Sequence, residues 1–247
     1  MIDGHIHFHK QPYTLETIDL MVLEALKNNV STLYLLDHTH KFNEFLFLYA
    51  NLSGEETNKW FNKKMHIPIS EYLDFIKLVK SQTYPIEIKF GLEVCYVKEF
   101  EDRLREELNK YEFDFLIGSV HQVMGIGYDL CIEVWEDVDT DLFYKEYYDI
   151  TKSLIKSNMF NILGHPDCIT AYEIYPSFPL KPYLEEIAKL LKEYNMETEN
   201  NTKRGGLKPE FLEILKANDV SIHLSSDAHR YYEIGRDFPN YIDSLKK

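Results

Sequence analysis

The sequence predicts an α/β fold: seven strand–helix units closing into one barrel, a single domain over residues 1–247. Three observations predict it. Short apolar runs alternate with longer amphipathic ones along the chain, the pattern of a parallel sheet with right-handed crossovers. Each apolar run ends in His, Asp, Glu or Asn, and a parallel barrel gathers those strand ends on one face. A length of 247 residues suits one such barrel, and no Gly/Ser linker, internal repeat or low-complexity tract divides it.

Taken in order, the first strand is predicted at 2–7 and the first helix at 14–28, where Ile18, Met21, Val22, Ala25 and Leu26 recur at helical spacing. A strand at 32–37 runs into Asp37-His38-Thr39-His40. Residues 41–68 break the rhythm with a stretch rich in aromatic and charged side chains. They read as an insertion, either a lid over the site mouth or an excursion packed on the side of the barrel. A helix at 69–81, a strand at 86–94, a helix at 98–111 and a strand at 113–119 follow. The remaining units are a helix at 141–157, a strand at 160–164, a helix at 179–194, a strand at 196–200, a helix at 208–218 and a strand at 220–225.

Composition narrows the function. A hydrophobic content of 45% excludes disordered and fibrous classes. A formal charge of −14 with no basic stripe argues against a protein that grips nucleic acid. An anionic substrate would then need cations at the site itself. Cys95, Cys131 and Cys168 form no CxxC pair, so a reducing compartment and buried packing roles are expected. The opening MIDGHIHFHK lacks an apolar leader, and no run of about 18 apolar residues occurs, so a soluble, cytoplasmic protein without a membrane partner is expected.

The unusual residues fall at strand ends. His5 and His7 lie on the first strand, His38 and His40 after the second, and Glu93 ends the third. His121 ends the fourth, His165 the fifth, Glu199 and Asn200 the sixth, and Asp227 and His229 the seventh. In an extended strand His5 and His7 point to the same side, so one metal can take both. A carboxylate such as Glu93 can bridge two cations, and histidine nitrogens suit zinc, iron or manganese. Burying so many titratable groups together without metals would be costly. His66 and His223 fall outside the pattern and read as structural; His40 reads as near the substrate or as structural.

The series DGHIH, DH, GLE, GSVH, GHPD and SDAH resembles the polymerase and histidinol phosphatase (PHP) superfamily, most closely its histidinol-phosphate phosphatase branch. The motifs run from residue 3 to residue 229 in the family's order. The resemblance implies a distorted (β/α)7 TIM-like barrel holding two or three divalent ions. It implies a first metal on His5, His7, Glu93 and Asp227, a second on Glu93, His121 and His165, and a third on His38 and His229. The family's third site takes a further ligand beyond the HxH pair, but here the sequence reads Phe8-His9-Lys10-Gln11-Pro12, so either His9 is the replacement or the third metal is weakly held or absent. Two cations bridged by Glu93 would lower the pKa of a shared water to give a hydroxide that attacks phosphorus. Asp227, a water on the third metal, or His40 would protonate the leaving group.

For the substrate phosphate the resemblance points to the segment after the sixth strand, with Asn200 and Arg204, and with Lys203 or Arg230 as substitutes. Ser119 is a further hydroxyl donor, or else a structural hydrogen bond. The basic residue that relatives carry shortly after GHPD is absent from Cys168-Ile169-Thr170-Ala171-Tyr172. The expected activity is hydrolysis of a small phosphorylated metabolite, with L-histidinol phosphate of histidine biosynthesis the first substrate to try. The alternatives are phosphoesterase action on a nucleotide or a phosphotyrosyl protein, an amidohydrolase, or a non-catalytic metal-binding barrel. The amidohydrolase pattern fits His38, Glu93 and the SDAH ending poorly.

Overall fold

The computed structural model describes residues 1–8 and 11–245. Among the described residues seven strands form one sheet in sequence order: β1 (Ile2–His7), β2 (Thr32–His38), β3 (Glu87–Cys95), β4 (Phe115–Ser119), β5 (Ile162–Leu163), β6 (Glu197–Asn201) and β7 (Ile222–Ser225). Every neighbouring pair is parallel. The sheet nearly closes on itself: a parallel bridge joins Ile6 to Ala228, just after β7, and His7 N donates to Ala228 O at 2.7 Å. The result is the distorted seven-stranded barrel that the alternating pattern predicts. At the seam Gly4 leaves no room for a side chain unless His223 moves, because a Cβ there would lie 2.1 Å from its ring.

The helices are α1 (Leu15–Lys27), α2 (Glu55–Asn62), α3 (Ile69–Lys80), α4 (Glu101–Leu108), α5 (Thr140–Lys156), α6 (Lys181–Glu193), α7 (Pro209–Ala217) and α8 (Phe238–Tyr241). Local chemistry sets several of their starts. Thr14 caps α1 by accepting from Thr17 N at 3.2 Å, and Asp139 caps α5 by accepting from Leu142 N at 3.1 Å. Proline sits in the first turn of α6 and α7, where its missing N–H costs no helical bond. The helices pack their apolar faces onto the outside of the barrel; α5 alone buries Phe143, Tyr144, Tyr147 and Tyr148. Full burial of a side chain such as Phe143 is worth about 1.5–3 kcal/mol.

Strand alternation divides the two faces. On β2, Leu33 and Leu35 join the main core with the helices. Leu36 faces the other way and packs with Phe115, Ile117 and Ile162, with Tyr34 beside them, in a separate cluster. This apolar plug fills the barrel, and His38 follows on the same face of β2.

Boundaries differ from expectation in three places. The helix expected at 98–111 is a 3-10 turn at Lys98–Phe100 followed by α4. The strand expected at 160–164 narrows to Ile162–Leu163, because Gly164 and His165 turn off the sheet line, His165 with φ 25°. Residues 41–68 hold a 3-10 segment at Asn43–Tyr49, then α2. Phe45, Phe47, Leu48 and Tyr49 of that segment are buried, so tertiary packing rather than helical periodicity shapes it.

Candidate metal centre

Glu93, at the C-terminal end of β3 and 1% exposed, is the hub. Its Oε1 faces His165 Nε2 at 2.9 Å and His121 Nε2 at 3.0 Å. Its Oε2 faces His38 Nδ1 at 2.9 Å, His5 Nε2 at 3.2 Å and His7 Nε2 at 3.4 Å. Asp227 Oδ1 adds a second carboxylate 3.4 Å from His7 Nε2 and 3.3 Å from His229 Nδ1. The His7 ring lies between those of His38 and His229, with centroids 4.2 and 4.4 Å away.

The donor set fits divalent metal. His5 Nε2 and His7 Nε2 point at each other across 2.9 Å, and Glu93 Oε2 is buried without a hydrogen bond although three histidine nitrogens surround it. Nitrogen lone pairs and carboxylate oxygens converging in this way are the inner faces of ligand shells. Three overlapping groups result, each with ligand atoms within 4.8 Å of one another: His5/His7/Glu93, His38/Glu93/His121 and His7/His38/His229. These clusters are consistent with two or three divalent ions.

Charge states follow from the packing. Burial opposes ionisation of Glu93, but the surrounding His38, His121 and His5 outweigh it and hold the carboxyl well below its usual range. Asp227 is likewise held low despite burial, by the His7 hydrogen bond and Lys203. His5 is buried, which disfavours its cation, yet Glu199 and Glu93 raise its pKa well above the ordinary value. His121 is raised by Glu93 against the same burial. Burial and the neighbouring His38 push His7 down, and burial brings His229 down to about 4. Without metal, the carboxylates favour the cationic form of His5 and His121, whereas burial disfavours it at His7 and His229.

Two ligand-type residues have left-handed backbone, His165 at φ 25° and Asp227 at φ 47°. Such conformations cost of order 1 kcal/mol or more outside glycine and need anchoring. His165 N donates to Glu199 Oε1 at 2.7 Å. Next to Asp227, Ser226 N donates to Asp3 Oδ1 at 2.9 Å, and Gly235 N donates to Asp3 Oδ2 at 2.9 Å. Burial drives the Asp3 carboxyl up to about 6 against those bonds.

A cavity opens over the cluster. Its wall includes His38, His40, Glu93, His121, His165, Lys203, Arg204, Asp227 and His229, together with Tyr49, Leu52, Thr57, Trp60 and Lys64 from the 41–68 segment. Arg204 Nη2 donates to Asp129 Oδ2 at 2.9 Å, which fixes the guanidinium at the cavity wall. Lys203 Nζ donates to Asp227 Oδ1 at 3.2 Å and lies 2.9 Å from His229 Nδ1. His40 stacks on His38 at 4.8 Å and meets Trp60 edge-on at 5.1 Å.

Three expected substrate contacts are not brought to this wall. Asn200 turns its Oδ1 to Leu207 N at 2.7 Å and holds the loop after β6. Ser119 Oγ is buried beside Gly164, where a Cβ on the glycine would come within 2.3 Å of it. Arg230 is exposed and donates to Tyr232 Oη at 2.6 Å. His9 lies outside the described residues. His66 Nδ1 pairs with His40 O at 2.8 Å, and His223 packs at the barrel seam. The three cysteines are unpaired; Cys95 is buried at the cavity wall and accepts from Gln122 Nε2 at 3.7 Å. Sequence reasoning missed Asp129 and gave Glu199 no role. Glu199 lies on a strand like the ligands and was findable; Asp129 sits in a loop without any such signal.

A model of the PHP domain matches residues 3–203. The chain belongs to the PHP family. The histidinol-phosphatase of Bacillus subtilis is 23% identical to this PHP protein over 271 residues, covering 98% of each chain. The structure of histidinol phosphate phosphatase from Lactococcus lactis, complexed with zinc, L-histidinol and phosphate, superposes with a TM-score of 0.70 at 20% identity, covering 100% of this chain and 94% of the other. A chain of archaeal ribonuclease P with mature tRNA gives a TM-score of 0.53 at 15% identity, covering 100% of this chain and 83% of the other. At these identities the structural likenesses show the fold. Among the described residues, no helix is long and apolar enough to cross a membrane.

Proposed function

We propose that this PHP protein is a metal-dependent phosphomonoesterase acting on a small phosphorylated metabolite, with L-histidinol phosphate the leading candidate. The observation that supports it most is Glu93, with histidine nitrogens at both carboxylate oxygens, sharing one cavity with Arg204 and Lys203.

In this reading His5, His7, Glu93 and Asp227 would hold one ion, Glu93, His121 and His165 a second, and His38 with His229 a third, to which His9 is the candidate further ligand. Ions bound there supply positive charge beside the phosphoryl oxygens and lower the pKa of water. Arg204, steadied by Asp129, grips the phosphate through its planar fork of donors. Lys203 adds a compact positive charge beside it. Asp227, ionised and tethered by Lys203, would complete the shell of the first ion and orient the attacking water by accepting its hydrogen bond. His40 lies next to His38 at the wall, where it can pass a proton to the departing oxygen. Tyr49, Leu52, Trp60 and Leu130 form an apolar wall for the organic portion, with residues 41–68 acting as a cover over the mouth.

A second reading, a nucleotide or a phosphotyrosyl side chain as substrate, draws on Trp60 and Tyr49 as stacking surfaces with Lys64 beside them. The charge of −14 disfavours long nucleic acid. The three unpaired cysteines fit a reducing, cytoplasmic setting. A metal-reconstituted screen against phosphomonoesters, including L-histidinol phosphate, nucleotides and phosphotyrosine, tests both readings. Phosphate release from L-histidinol phosphate far above the rest supports the first, and preference for an aromatic or nucleotide ester supports the second. No release from any ester, with metal bound, contradicts both.

A further inference from the structure

Glu199, midway along β6, belongs to none of the three ligand groups found among the described residues, yet it is fully buried against His5 of one group and against His165. Its Oε2 lies 3.0 Å from His5 Nδ1. Its Oε1 accepts from His165 N at 2.7 Å and from Asn201 Nδ2 at 3.3 Å. His5 stands on the Oε2 side of Glu93, at 3.2 Å, and His165 on the Oε1 side, at 2.9 Å. One carboxylate therefore reaches a histidine on each side of the hub.

We propose that Glu199 is the positioning residue of the metal centre, setting the tautomer of His5 and pinning the backbone of His165, so that both halves of the site are oriented by one carboxylate. This rests on the metallohydrolase reading above. A carboxylate accepts and does not donate, so in the neutral, metal-binding form of His5 the proton resides on Nδ1 and the lone pair on Nε2. That Nε2 is the nitrogen 2.9 Å from His7 Nε2, inside the ligand cluster. At His165 the bond to Oε1 holds an N–H in a backbone of φ 25°, and the side chain leaves from there to meet Glu93. The two oxygens do different work, and neither can be spared.

Glu199→Gln separates this role from simple packing, because glutamine has the same shape but one acceptor oxygen. If that oxygen serves His165 N, an NH2 faces His5 Nδ1 and the His5 proton moves to Nε2, where it blocks ligation. If it serves His5, the NH2 confronts His165 N. Zinc titration of metal-stripped wild type and Glu199→Gln, with a thermal melt of each metal-free protein, reads the outcome. The expected result is a cooperative melt for both and zinc affinity about 10- to 100-fold weaker in the variant. Wild-type zinc affinity in the variant overturns the proposal alone. Wild type that takes up no zinc overturns the metallohydrolase reading and this proposal with it. Should the variant fail to fold, 15N spectra of zinc-loaded wild type labelled at histidine decide instead. They should show His5 bound through Nε2 with hydrogen on Nδ1, and ligation through Nδ1 contradicts the proposal.

Discussion

A buried carboxylate facing five histidine nitrogens is costly to keep unless cations lie among them. The same crowding makes the metal effect depend on pH. His5 and His121 have pKa values raised above the ordinary imidazole range, so in the metal-free protein their stabilisation is full below about pH 6.5. It is lost as pH rises through the folded values. Metal needs the neutral rings, so its binding strengthens over the same interval. The melting temperature of metal-loaded protein should therefore pull further ahead of chelator-treated protein from about pH 6 to about pH 8. An unchanged difference across that range would count against ligation by these histidines. Arg204→Ala should raise KM for the phosphomonoester about 10- to 100-fold, the loss of a charge-assisted contact, with a smaller change in kcat. An unchanged KM would move phosphate binding elsewhere. The ligand-type residues were legible in sequence because each is a His, Asp or Glu closing an apolar run. Asn200 and Ser119 share that position, yet Asn200 spends its Oδ1 on the loop after β6 and Ser119 packs its hydroxyl beside Gly164. Which atom meets which is decided by the turn after the strand.

At the scale of elements, short apolar runs and helical spacing made the strands and the long helices legible within a few residues. The short pieces were not. Asn43–Tyr49 buries aromatic residues in a 3-10 path that has no helical stripe, and β5 is cut short by the turn at Gly164-His165. The β1–β7 seam was equally invisible, because it depends on Gly4 lying under the ring of His223. Gly4→Ala should destabilise the protein by about 1–3 kcal/mol through overpacking, as read by urea denaturation. Adding His223→Ala should recover much of that loss, since the two sites share one contact. A variant as stable as wild type would show that the seam has slack.

For the whole molecule, the barrel explains how residues from 3 to 229 reach one centre: all seven strands run the same way and deliver their ends to a single face. On the proposed function, a chain of charge −14 repels a phosphate ester overall, so metals, Arg204 and Lys203 would have to supply positive charge at the site. The overall architecture was legible in the order of motifs; the pocket above it was not, because its outer wall comes from the irregular 41–68 segment. The most direct test of the central claim is elemental analysis of the protein purified without chelator, beside Glu93→Ala prepared in the same way. Wild type should carry about two to three equivalents of zinc, iron or manganese, and the variant clearly fewer. Wild type with fewer than about one equivalent, or a variant that keeps the full complement, would contradict a metal centre built around Glu93.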